Sequence, residues 1–177
     1  DESLMPVVAG RPRINTMHLW FIWMLLWYSV ASFLLFPLVQ AVPQKLCRFF
    51  AQAFVWLASS AWGLMLLAVP LAVLGLGYPG GFLTASGSFI PPLTEWLHNG
   101  LFFGFGLALF GQRSTLLVNF QRRWSIYAVV GFVFISISGV LVKAQHEHPG
   151  SIAYFEFYSG LVYNLCTWFW SIAMIGL

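Results

Sequence analysis

Met17-His18-Leu19-Trp20-Phe21-Ile22-Trp23-Met24-Leu25-Leu26-Trp27-Tyr28 heads an apolar run that continues through Ala31 to Val39. A helix needs about 20 predominantly apolar residues to cross the hydrocarbon core of a bilayer. This run supplies that length, with a single imidazole at its head. The rest of the chain repeats the design of apolar stretch, short polar turn, apolar stretch. The fold class expected is therefore all-α, a polytopic transmembrane helical bundle.

The composition agrees. Of 177 residues, 60% are hydrophobic and 7% charged, whereas a soluble domain carries about 25% charged residues. So few charges cannot cover a water-facing surface, and membrane lipid is an expected partner. Aromatics make up 19% of the chain, nine of them Trp, as befits helix ends at the lipid–water interface. The net charge of +3 rests on eight scattered Lys and Arg. That is too thin for a nucleic-acid footprint, so no nucleic acid is expected. Cys47 and Cys166 lie in or beside apolar stretches and read as lipid- or core-facing thiols, not a disulfide framework. The chain opens Asp1-Glu2-Ser3-Leu4 and closes inside the apolar run Trp170 to Leu177. It is expected to be an internal piece of a longer membrane protein.

Five crossings are expected, at about 18–39, 59–76, 93–111, 124–142 and 152–177. After the basic turn 43–48, residues 49–57 either lie along the interface, with a helix starting near Ser59, or belong to one tilted helix. The loop 77–92 is rich in Gly and Pro and holds no Lys or Arg. Gly100 and Gly104 have the spacing that lets another helix approach closely, and Gly104 is expected to face one. Residues 112–123 read as a basic loop and 143–150 as a polar turn.

Five crossings place Arg11, Arg13 and Lys143 on one face and Lys45, Arg48, Arg113, Arg122 and Arg123 on the other. The excess of Lys and Arg marks the cytoplasmic side, so the entry segment and loop 77–92 should face outward. His18, Glu95, His98, His146, Glu147, His148 and Glu156 then gather at outer helix ends and turns. They are either polar residues where polar residues fit, or a vestibule for a hydrophilic acceptor, with Glu95, His98 and Glu156 as its candidate face. Arg113, Arg122 and Arg123 are either the topology signal with attraction to anionic lipid, or an inner face that meets phosphates through paired hydrogen bonds. His146-Glu147-His148 offers two adjacent imidazoles without an evident third ligand, so no metal site is expected.

The tetrad His18-Leu19-Trp20-Phe21, at the start of an aromatic crossing, resembles the His-Leu-Trp-Phe signature of the acyltransferase-3 family of multi-pass membrane O-acyltransferases. The Gly/Phe-rich stretch Asn99 to Gly111, followed by basic residues, is similar to that family's aromatic helix, and the order of elements fits along most of the chain. The branch that modifies periplasmic glucans is nearest in overall texture. The resemblance implies that residues 1–177 are a partial membrane acyltransferase domain. It implies transfer of an acyl group from cytoplasmic acyl-coenzyme A, a substrate and not a bound cofactor, to a hydroxyl of a glycan or similar acceptor. It implies a bacterial inner membrane as location. It also implies that the catalytic histidine and its arginine lie in an earlier crossing, so that no catalytic residue is expected in this piece, which needs the missing helices of its parent chain. The competing readings are a structural membrane subunit with no chemistry of its own and a helical module of a membrane transporter, since transporters break helices with Gly or Pro, as Pro70 and Gly100 to Gly106 would allow. No charged residue sits in the middle of an expected crossing, which counts against an ion path.

Overall fold

The computed structural model describes residues 19–86, 88–148, 150 and 152–177. His18, the entry segment, and Pro149 and Ser151 of the polar turn lie outside the described residues. The fold is all-α: α1 (Trp20–Gln40), α2 (Gln44–Ser59), α3 (Ala61–Gly75), α4 (Leu93–Gly111), α5 (Arg113–Glu147) and α6 (Phe155–Gly176), with a 3-10 turn at Pro79–Gly81. The expected 93–111 helix has the same bounds as α4.

Among the described residues two helices, α1 and α5, are long and apolar enough to cross a membrane, or three spans if the bent pair α2–α3 counts as one. The five crossings expected are therefore too many. Thr94, Glu95, His98 and Asn99 lower the hydropathy of α4, as Glu156, Asn164 and Thr167 lower that of α6. The basic loop expected at 112–123 is helical: α5 starts at Arg113, one residue after α4 ends. Arg, Leu and Gln are good helix formers and no proline interrupts them. Residues 143–147, expected as a turn, extend the same helix, and Lys143 pairs with Glu147 one turn on at 3.7 Å.

The chain divides into two units. The first takes α1, residues 85–92 and the start of α4 up to Phe103. Aromatic side chains join its two helices: Tyr28 stacks on Phe103 at 4.9 Å and meets Trp96 edge-on at 5.1 Å, and Trp27 meets Trp96 at 5.9 Å. The intervening loop is tied at two points. Trp23 Nε1 donates to the Phe89 carbonyl at 2.6 Å, and the Ser86 N–H donates to Glu95 Oε1 at 2.6 Å.

The second unit comprises 41–84 and 104–177. Its axis is α6, which buries Ser159, Gly160, Asn164, Trp168, Phe169 and Ile172 among others. Antiparallel α5 packs along it, with Gly131 against Trp170 and Phe120 against Gly176. An added Cβ at Gly131 would collide with the Trp170 ring, and one at Gly176 would sit 2.5 Å from the Phe120 carbonyl oxygen. α3 packs on the other side of α6 through Leu64, Ala68, Leu71 and Ala72, all buried. Gly81 takes a positive φ of 77° and lies against the Glu156 carbonyl, where a side chain would clash.

α2 and α3 meet at 97° across Ser60, whose backbone is extended (φ −104°, ψ 136°). A new helix thus starts near Ser59, and residues 44–75 are not one continuous helix. Gly63 packs directly on the Leu57 carbonyl inside this elbow. Gly104, expected to face another helix, has nothing within 4 Å of an added Cβ, whereas the Gly100 Cβ position is 3.5 Å from the Tyr28 ring. The two-glycine spacing therefore receives one neighbour and not two.

Candidate functional site

In the first unit, Trp20, Phe21, Met24, Leu25 and Tyr28 share one face of α1, because residues three or four apart stack along a helix. Asn99, Phe102 and Phe103 share a face of α4 by the same rule. Together these eight side chains line a cavity of about 300 Å³. Trp20 and Phe21 of the tetrad belong to its wall; Leu19 is exposed. The volume is at the lower end of the range for small-molecule sites, roughly 300–1,000 Å³, which are mostly apolar with few polar groups.

Two polar groups interrupt the wall. The Tyr28 hydroxyl donates to the Trp96 carbonyl at 2.8 Å, which fixes the ring over Gly100. Asn99 Nδ2 donates to the Glu95 carbonyl at 3.0 Å, which fixes the amide and leaves Oδ1 available as an acceptor. Sequence reasoning passed over both. The available signal was their period: Tyr28 follows Met24 by four residues, and Asn99 precedes Phe103 by four.

The candidate acceptor face does not assemble as expected. Glu95 is 3% exposed, and its carboxylate is committed to the Ser86 N–H. Its place is a loop clamp and not an open vestibule. His98 is half-buried beside Phe102, with ring centroids 5.5 Å apart. Glu156 is exposed in the first turn of α6, in the second unit. His146, Glu147 and His148 are exposed at the end of α5, and no group of three His, Cys, Asp or Glu suited to a metal ion occurs among the described residues.

Nor do the three arginines form one cradle. All are exposed on α5. At 3.6 residues per turn, Arg113 and Arg122 point to opposite sides of the helix, about 180° apart and roughly 13 Å apart along it. Arg113 turns back to the preceding helix end: its Nη1 donates to the Phe110 carbonyl at 3.0 Å and its Cζ lies 4.4 Å from the Phe110 ring centroid. Arg123 instead borders a second cavity, of about 430 Å³, with Tyr127 and the α2–α3 elbow.

Cys47 is exposed and Cys166 buried, both as free thiols. No family model, curated protein or solved structure matches the chain.

Proposed function

We propose that the chain is part of an integral membrane O-acyltransferase, in a bacterial inner membrane, that moves an acyl group from cytoplasmic acyl-coenzyme A to a hydroxyl of a glycan or similar acceptor. The observation that carries this reading is the aromatic cavity of the first unit. It is apolar enough for an acyl chain, it includes Trp20 and Phe21 of the family-like tetrad, and it presents a fixed phenol and a fixed amide. In the transfer, the acceptor oxygen attacks the thioester carbonyl carbon, the C–S bond breaks, and the acceptor proton leaves through a base to the departing thiolate. Tyr28 is a poor base, since its own proton is held by the Trp96 carbonyl. The resemblance assigns the base to an earlier histidine. In this reading the Asn99 amide and the aromatic wall orient the acyl chain, which lowers the barrier by positioning.

The test is incorporation of radiolabelled acyl groups from acyl-coenzyme A into glycan esters, in membranes of cells expressing the reading frame that contains this chain. Phe21→Ala, Asn99→Ala and His18→Ala are compared with the unsubstituted protein at equal expression. Labelled ester that falls in these variants supports the proposal. Solute uptake without acyl transfer would replace it with a transporter module, the reading favoured by the helix break at Ser60.

A further inference from the structure

The second unit holds a site that the acyl-transfer reading does not use. α5 has 35 residues, or roughly 52 Å of helix, against about 30 Å of hydrocarbon. Its uncharged stretch, Trp124 to Val142, is about 28 Å long at 1.5 Å per residue. The bilayer boundary on one side of this unit therefore falls at Arg122 and Arg123. The elbow between α2 and α3 lies at the same level, because Ser59 and Met65 line one cavity with Arg123 and Tyr127.

α2 shows three faces. Gln44, Lys45, Arg48, Gln52 and Ser59 fall in one arc about 100° wide at 3.6 residues per turn. Leu46, Phe49, Phe50 and Trp56 are exposed apolar side chains, centred about 120° away. Phe54 and Ala58 turn toward the protein, Phe54 against the Phe105 ring at 5.1 Å and Ala58 fully buried. A helix with one side on protein, one apolar side exposed and one basic side belongs in the plane of the membrane surface. The 97° bend then sends α3 along the bilayer normal.

At this boundary the elbow and α5 enclose the 430 Å³ cleft. Met65, Ile126 and Phe169 belong to its apolar wall, and the exposed Arg123 lines it together with the buried Tyr127. Arg123 lies one helical turn before Tyr127, and both line the cleft. Among the described residues Lys143 pairs with Glu147, and no described carboxylate pairs with Arg123.

We infer that this cleft is a binding site for one anionic phospholipid, its phosphate on Arg123 and one acyl chain along Met65, Ile126 and Phe169. An uncompensated guanidinium at the headgroup level suits a phosphate, which it meets through two parallel hydrogen bonds. The apolar wall below it suits a tail and rejects a free inorganic anion. Such a lipid braces α2 against α5 at the elbow.

The test uses the whole chain in a neutral detergent, with thermal unfolding followed against added dioleoyl phosphatidylglycerol, dioleoyl phosphatidylcholine or acyl-coenzyme A. Phosphatidylglycerol should raise the unfolding temperature saturably and phosphatidylcholine should not. Arg123→Gln should weaken the apparent affinity on the order of tenfold, as for loss of one charge-assisted contact, while Arg122→Gln leaves it unchanged. Ile126→Trp, which fills the cleft from an exposed position, should abolish the shift without lowering the unliganded unfolding temperature. Equal shifts from both lipids, or a shift that survives both Arg123→Gln and Ile126→Trp, overturns the site. A saturable shift from acyl-coenzyme A but none from phosphatidylglycerol also overturns it and gives the cleft to the acyl donor.

Discussion

Gly63→Ala is the sharpest probe of the elbow. The added Cβ would lie 2.6 Å from the Leu57 carbonyl carbon and closer still to its oxygen. Both are backbone atoms held in α2, so no rotamer change relieves them. Ordinary carbon–carbon contact needs about 3.5 Å, so α3 must retreat by roughly 1 Å. The retreat loosens Leu64, Ala68, Leu71 and Ala72, all buried at 0–1% exposure against the rest of their unit. Overpacking of this kind costs about 1–3 kcal/mol, and a clash between two backbones belongs at the upper end. The better helix propensity of alanine returns at most about 1 kcal/mol, which leaves a net loss of about 2 kcal/mol. For a chain of this size that is a fall of roughly 4–8 °C in unfolding temperature. Thermal unfolding in detergent measures it, with Gly139→Ala as control, since nothing lies within 4 Å of that Cβ position. A Gly63→Ala protein that unfolds at the temperature of the Gly139→Ala control would refute the reasoning, because a continuous helix through residues 56–66 accepts alanine at position 63 without strain.

Gly131→Leu should lower stability by at least 1–3 kcal/mol through collision with the Trp170 ring, while Gly104→Leu should change it by less than about 0.5 kcal/mol; the same unfolding assay ranks the two. Glu95→Ala removes the acceptor of the Ser86 N–H and should cost about 1.5–3 kcal/mol, as for a hydrogen bond to a charged group. Faster proteolysis of the 82–92 loop reports the same loss, and Glu95→Gln should restore most of the protection. Tyr154, exposed and at φ 55°, should gain about 1 kcal/mol on replacement by glycine, which adopts that conformation freely; a lower unfolding temperature in Tyr154→Gly would count against strain there.

Much of this architecture is legible in the residues. Apolar run length marks α1, and Pro92 and Gly111 bracket α4. Alternation of Lys45, Arg48 and Gln52 with aromatics separates α2 from the fully apolar α3. The basic stretch from Arg113 to Arg123 misleads because a run of charge reads as a loop, although its Arg, Leu and Gln residues are good helix formers and only Gln112 interrupts the path from α4. The glycines show where local spacing runs out. Gly100 and Gly104 carry the recognisable pattern, yet the close approaches are at Gly63, Gly75, Gly81, Gly131, Gly160 and Gly176. Each of these depends on a partner distant in the sequence or on a sharp bend, which no spacing encodes. Glu95 is similar: its position near a helix start suggests an open end, yet it is buried and accepts a hydrogen bond from a loop nine residues earlier.

The claim that the first-unit cavity receives an acyl chain is tested most directly by photolabelling. An acyl-coenzyme A carrying a diazirine near the end of its acyl chain is irradiated with membranes containing the full protein, and the labelled peptides are mapped. The account predicts label on Trp20 to Tyr28 and on Asn99 to Phe103, displaced by unlabelled acyl-coenzyme A. Label confined to peptides of α5 and α6, or label in the cavity peptides that the competitor does not reduce, would contradict it.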